Sequence, residues 1–229
     1  LIYLTKQHSD EETLWLKEKL TQHSQRENEP KRYVYSTWFG ENMPIEQDVC
    51  ALCNLMYWVF ENDLPLNDYD EATLDFLRNK ILSEDYKKQP FQTARHYASV
   101  PLILYHYARL IQKFNIRQLI DCKIFVVKEA ERLLNKECAT MEVVLLSTVL
   151  LKLAPESEIL EYFQLNERPI SDDRFYSFIG AFIAPYSESK DSLVSKVAAH
   201  PLTRFNWQCE AHELALQLES LVLQNLSLS

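Results

Sequence analysis

The feature that most constrains this chain is a contrast between two kinds of helical segment. Residues 48–60 carry only two polar side chains besides their cysteines, Asp48 and Asn54. A helix that is apolar on every side offers no face to water, so it must be packed on all sides. Residues 71–82, which follow, keep a polar side. An inner helix followed by an outer helix is typical of a layered all-α protein.

The same contrast recurs along the chain and predicts which helices are inner. We expect segments 47–61, 100–114 and 141–153 to be buried on nearly all faces, because they lack a polar period. We expect segments 10–22 and 71–82 to be half exposed, because apolar residues occupy one side of each.

Length and glycine content limit the fold further. The chain has 229 residues, and we interpret residues 1–229 as a single helical domain whose first part, 1–44, is partly irregular. Only two glycines occur, which argues against Gly-rich phosphate loops and tight β-hairpins. The only strand signals, both weak, lie at 1–5 and 32–35.

Charge and cysteine content exclude several classes of partner. The formal net charge is −9 and no basic stripe occurs, so we expect no nucleic-acid binding. No apolar run reaches the roughly 18 residues of a membrane span. Five cysteines without disulfide-framework spacing favour a reducing compartment, and we predict a cytoplasmic protein. The chain begins at Leu1 rather than Met, so a removed signal peptide is the alternative.

Three segments resemble inner helices of the terpenoid cyclases and protein prenyltransferases. They are residues 46–58, 97–109 and 205–221, which are EQDVCALCNLMYW, YASVPLILYHYAR and FNWQCEAHELALQLESL. The resemblance implies an α/α toroid, in which inner helices surround a central cavity that holds an isoprenoid chain. A chain of 229 residues would form an incomplete or small toroid.

Two short motifs within these segments resemble a zinc site. Asp48-Val-Cys50 resembles the Asp-x-Cys ligands of protein prenyltransferases, and Tyr105-His106 resembles the pair that supplies their third ligand. The alternative is a buried cysteine and a core histidine, since cysteine often acts as a small apolar residue. Cys50 and Cys53 form a C-x-x-C without a second pair, which also favours core cysteines. We predict no bound metal and no cofactor.

Two acidic motifs have structural alternatives. Residues 68–73, DYDEAT, resemble the Asp-x-Asp-Asp-Thr-Ala motif of protonating terpene cyclases. Acids also gather at helix N-termini, where they accept from free N–H groups, and Asp70 would then cap the helix 71–82. Asp172 and Asp173 resemble the start of a class I metal motif, and we interpret them as the cap of a further helix.

Two functional hypotheses follow, and whether the chain is an enzyme stays open. In the first, a terpenoid-cyclase-like or prenyltransferase-like protein binds or processes an apolar, isoprenoid-type ligand in a central cavity. In the second, a catalytically silent helical scaffold, similar to a TPR or HEAT solenoid, binds a protein partner. Catalytic residues cannot be assigned. The candidate residues that would line a cavity are the polar and aromatic ones on the inner helices: Asp48, Asn54, Tyr105, His106 and Thr148.

Overall fold

The structure is a computed structural model that describes residues 9–25, 33–38, 45–97, 99–136, 138–162, 175–182, 202 and 204–227. The all-α prediction is confirmed for this part of the chain, which contains nine α-helices and one two-stranded sheet. The helices are α1 (Asp10–Ser24), α2 (Val49–Glu61), α3 (Asp68–Leu82), α4 (Asp85–Lys88), α5 (Pro90–Thr93), α6 (Val100–Lys113), α7 (Cys122–Leu134), α8 (Thr140–Leu153) and α9 (Glu210–Ser227). Short 3-10 helices occupy Arg117–Leu119 and Glu158–Tyr162.

Polar side chains fix where the first three helices begin. Ser9 and Glu12 form a capping box at the start of α1, and Asp48 caps α2. The predicted cap of the third helix is wrong by three residues. Asn67 is the cap of α3, and Asp70 is its capping-box partner, accepting from the Asn67 N–H at 2.7 Å. Asparagine is as good a cap as aspartate, so the helix starts at the first residue that satisfies its free N–H groups.

The helices form two layers. In one layer α2 packs on α6, α6 on α8, and α8 on α9; in the other, α3 packs on α2 and α7, and α7 also contacts α6 and α8. Helices α2 and α6 run parallel, because both their N-terminal ends and their C-terminal ends are in contact. Asp48, the cap of α2, accepts from the backbone N–H of His96 just before α6, and Glu61 at the end of α2 pairs with Lys113 at the end of α6. Helices α2, α6 and α8 therefore lie among other helices, whereas the segment 205–221, predicted to be an inner helix, includes residues of a β-strand and leaves one side of α9 exposed.

The burial predictions for these helices are confirmed. Trp58 in α2 and Leu150 in α8 are both fully buried, and no residue of α2 or α8 is exposed. Helix α1 and helix α3 each bury one side and expose the other. One continuous hydrophobic core joins the inner helices to the buried sides of the outer ones.

A buried ion pair attaches α1 to α3. The Lys17 ammonium lies 2.6 Å from the Asp70 carboxylate and also donates to the Pro65 carbonyl at 2.7 Å. Both charged side chains are almost fully removed from water. This pair joins residues far apart in the sequence and fixes the position of α1.

The sheet is a structural feature that the sequence pattern missed. Strand β1 (Phe178–Phe182) pairs antiparallel with β2 (Arg204–Trp207), and Phe178 lies opposite Trp207. The register shifts between Ile179 and Phe182. The predicted strand at 32–35 is wrong where it is described, since residues 33–35 are irregular. The other strand signal, 1–5, and the predicted cap at Asp172 and Asp173 lie outside the described residues.

Candidate functional site

Asp48, the first candidate, has a structural environment. Its carboxylate is fully buried, and Oδ1 accepts from the backbone N–H groups of Cys50 at 2.9 Å and Ala51 at 3.3 Å. Oδ2 accepts from the backbone N–H of His96 at 2.8 Å. Burial raises the pKa of Asp48 although these hydrogen bonds oppose the shift. Both oxygens therefore hold backbone groups of this chain.

His96 links the N-terminal end of α2 to strand β1 of the sheet. Its carbonyl accepts from the Ile179 N–H, and its ring Nδ1 lies 2.9 Å from the Ile179 carbonyl. Phe178 stacks on the ring, and Nε2 lies 3.5 Å from a carboxylate oxygen of Glu46. Burial opposes a charge on this ring, but the hydrogen bond to Glu46 and the neighbouring carboxylates raise the pKa of His96 overall. No sequence pattern around His96 indicates that this residue bonds to β1.

The three residues that resemble zinc ligands do not form a metal site. Burial raises the pKa of the Cys50 thiol well above its usual value. His106 is buried on α6 between the rings of Tyr97 and Tyr105. Among the described residues, no group of three or more His, Cys, Asp or Glu side chains is arranged to hold a metal ion.

The acidic motif at 68–73 forms the first turn of α3. Asp68 is exposed, while Asp70 is buried in its pair with Lys17 and in the capping box. The carboxylates are thus used by a helix terminus and an ion pair. The motif therefore lies at a helix N-terminus, as the structural alternative predicts.

Two of the candidate cavity residues meet at one arginine. Arg109 on α6 donates from Nη1 to Asn54 Oδ1 on α2 at 3.2 Å. Its guanidinium carbon lies 5.7 Å from the centre of the Tyr105 ring and 5.1 Å from that of Tyr57. The Tyr105 hydroxyl donates to Glu219 of α9 at 2.5 Å. This set of side chains joins α2, α6 and α9; Arg109 was not among the predicted site residues.

The remaining candidates lie elsewhere. Thr148 is buried on α8, and its hydroxyl donates to the Val144 carbonyl one turn earlier at 2.8 Å. A threonine satisfied by its own helix needs no ligand. His106 contacts aromatic rings, and its Nδ1 has no hydrogen-bond partner among the described residues. No described contact brings Asn54, His106 and Thr148 together.

An exposed apolar surface of the described molecule lies on α9. Leu214, Leu218 and Val222, four residues apart on α9, are 56%, 63% and 48% exposed. Phe205 and Trp207 of β2 are also more than half exposed. We call Leu214, Leu218 and Val222 the apolar surface of α9. Their spacing places the α9 residues on one side of the helix, while Leu216 and Ser220 are buried on the other.

Acids and neutral polar groups flank this surface. Residues 205–227 contain no Lys or Arg but include Glu210, Glu213 and Glu219. The sequence pattern of α9 was interpreted only as an inner helix. The sequence signal for this surface is the spacing of Leu214, Leu218 and Val222 at i, i+4 and i+8. These residues form a second apolar stripe on α9, in addition to the side that packs in the core.

Comparison with models of known protein families, with curated proteins and with solved structures found no match for this chain. Within the described part of the chain, no helix has the combination of length and apolar composition that crossing a membrane requires.

Proposed function

We propose that this chain is a helical scaffold that binds a protein partner, and that the partner is an amphipathic helix carrying basic residues. The single observation that carries the proposal is the apolar surface of α9. Large apolar side chains grouped on one exposed side of a helix favour an interaction site, whereas single exposed ones need no explanation.

The position of α9 supports this proposal. It is the last helix of the layer α2, α6, α8 and α9, and terminal helices of stacked arrays normally present a polar outer side. Leu214, Leu218 and Val222 form a ridge with a spacing of four residues, which fits between the ridges of another helix. A helix packed there would extend the layer by one element.

Charge supports a different protein over a second copy of this chain. The first turn of α9 is acidic, with Glu210 and Glu213, and its last turn has no basic residue. An antiparallel copy would place these acids beside the negative end of the other helix dipole, and a parallel copy would place acids beside acids. Lys or Arg on the partner would instead be attracted, which is why we specify a basic helix.

The arrangement of layers supports a further proposal about the fold, namely an incomplete α/α toroid. Parallel α2 and α6 with α3 and α7 behind them fit such a fold, and they also fit an open solenoid. Small-angle scattering of the full chain separates the two, because a ring and an open array differ in their distance distribution. The isoprenoid-binding hypothesis stays a prediction, and native mass spectrometry for a co-purified lipid is its test.

Photo-crosslinking in cells tests the scaffold proposal. A photoreactive amino acid is placed at Leu218, and the matched control places it at Ile124 of α7, which is 54% exposed against 63% for Leu218. We expect one defined crosslinked protein at position 218 and not at 124, and we expect Leu214→Glu to abolish it. Equal crosslinking at both positions, or crosslinks only within the chain, would contradict the proposal.

A further inference from the structure

Arg109 is the centre of a second, polar surface that α9 also helps to form. The guanidinium carbon lies 5.1 Å from the centre of the Tyr57 ring and 5.7 Å from that of Tyr105, and the two rings are contributed by two different inner helices. Two cation–π contacts restrict the orientation of the guanidinium. Asn54 accepts one of its hydrogen bonds at 3.2 Å, which further restricts rotation.

Arg109 has no carboxylate partner among the described residues. Arg78, Arg95 and Arg132 each form a salt bridge, whereas Arg109 forms none with any described residue. The nearby carboxylate of Glu219 is already occupied: Tyr105 donates to one oxygen, and Lys152 lies 2.9 Å from the other. A half-buried guanidinium therefore keeps most of its five N–H donors unused within the described structure.

The charge of Arg109 also acts on two histidines near it. Burial first, and then the charge of Arg109, lower the pKa of His106 to about 3, and the same two causes lower the pKa of His212. His106 is therefore neutral at physiological pH, and its buried Nδ1 has no hydrogen-bond partner in the described structure. The preformed donors of the Arg109 guanidinium favour an anion.

We propose that Arg109 binds the carboxylate of an organic acid, with the tyrosine rings contacting the carbon skeleton of that ligand. A planar guanidinium presents two parallel donors that match the two oxygens of a carboxylate. Phosphate sites usually add free backbone N–H groups at a helix N-terminus, whereas Arg109 lies near the C-terminal end of α6, where the backbone N–H groups are already bonded within the helix. The Lys113 ammonium also lies over Tyr57, but it pairs with Glu61 at 2.9 Å. The remaining positive charge and the two aromatic rings fit a monoanion with an apolar or aromatic body.

Nuclear magnetic resonance of the full chain with labelled arginine Nε groups tests this site, with benzoate as the probe and inorganic phosphate as the comparison. We expect benzoate to give a saturable shift of the Arg109 Nε signal, and phosphate to give a weaker one. Arg109→Lys keeps the charge but loses the paired donors, so benzoate affinity, followed on the His212 ring, should fall about tenfold or more. The matched control Arg78→Lys, at a surface ion pair, should leave the affinity unchanged.

A second variant keeps the proposal falsifiable if Arg109→Lys fails to fold. Tyr57→Leu removes one stacking ring at a half-buried position, and we expect it also to weaken benzoate binding. Shifts of equal size at Arg78 and Arg109, an unchanged affinity in both variants, or tighter binding of phosphate than benzoate would each overturn the proposal.

Discussion

Lys17→Met should destabilise the protein far more than the loss of an ordinary ion pair. The Lys17 and Asp70 side chains are 5% and 0% exposed, so their attraction is not screened by water. Without the ammonium, Oδ2 of Asp70 keeps one N–H donor, that of Asn67, and Oδ1 has no hydrogen-bond partner among the described residues. A buried carboxylate left without its counter-ion costs about 3–5 kcal/mol, and we expect this loss in the free energy of unfolding.

Urea unfolding followed by circular dichroism measures this loss, and a second substitution tests its cause. Asp70→Asn in the Lys17→Met background removes the buried charge but keeps an acceptor for the capping box, so it should recover about half of the lost stability or more. The control Arg78→Met breaks the exposed pair with Asp121 and should leave the free energy of unfolding nearly unchanged. A loss below about 1 kcal/mol for Lys17→Met, or no recovery in the double variant, would refute the reasoning.

Three further predictions concern residues at the N-terminal end of α2 and at the contact between α6 and α9. Because the pKa of His96 is raised in the folded chain, its stabilising contribution is fully present below about pH 6.5 and is lost as pH rises through the folded pKa. In His96→Asn, the unfolding temperature should depend less on pH in this range. Thermal unfolding at a series of pH values measures this dependence, and the same dependence in the variant and the unchanged protein would contradict the prediction. Asp48→Ala removes three acceptor contacts and should lower the free energy of unfolding in urea by about 2 kcal/mol or more. Tyr105→Phe removes the hydrogen bond to Glu219 and should cost about 1.5 kcal/mol in the same assay, with faster hydrogen exchange in α9.

The helical layers could be predicted because the signal is local. A segment such as 48–60 has no polar side in any orientation, so its burial follows from the sequence of that segment alone. Helix starts were less certain, since Asn67 and Asp70 are both good caps within one turn and only the folded backbone selects between them.

The site residues could be predicted only in part, because they depend on contacts between distant segments. The sequence predicts Asn54 and Tyr105 as polar residues on inner helices, but no pattern within either segment indicates that Arg109 contacts both. Strand β1 depends on hydrogen bonds to His96, more than 80 residues earlier in the chain. No local pattern carries such information.

The exposure of the apolar surface of α9 could not be predicted from the sequence either. Leu214 and Leu218 have the spacing of core residues, so the sequence predicts burial, and only the packed structure shows that the core ends at Leu216 and Ser220. An apolar residue that the fold leaves outside is therefore more informative than one that it buries.

Peptide binding to the apolar surface of α9 tests the central claim most directly. Fluorescence anisotropy would compare three labelled helical peptides that share a leucine ridge at every fourth position and carry lysine flanks, glutamate flanks or a scrambled order. We predict that the lysine-flanked peptide binds best, that added salt weakens its binding, and that Leu218→Glu in the protein abolishes it. Equal binding of all three peptides, or binding that survives Leu218→Glu while Ile124→Glu disrupts it, would contradict the account.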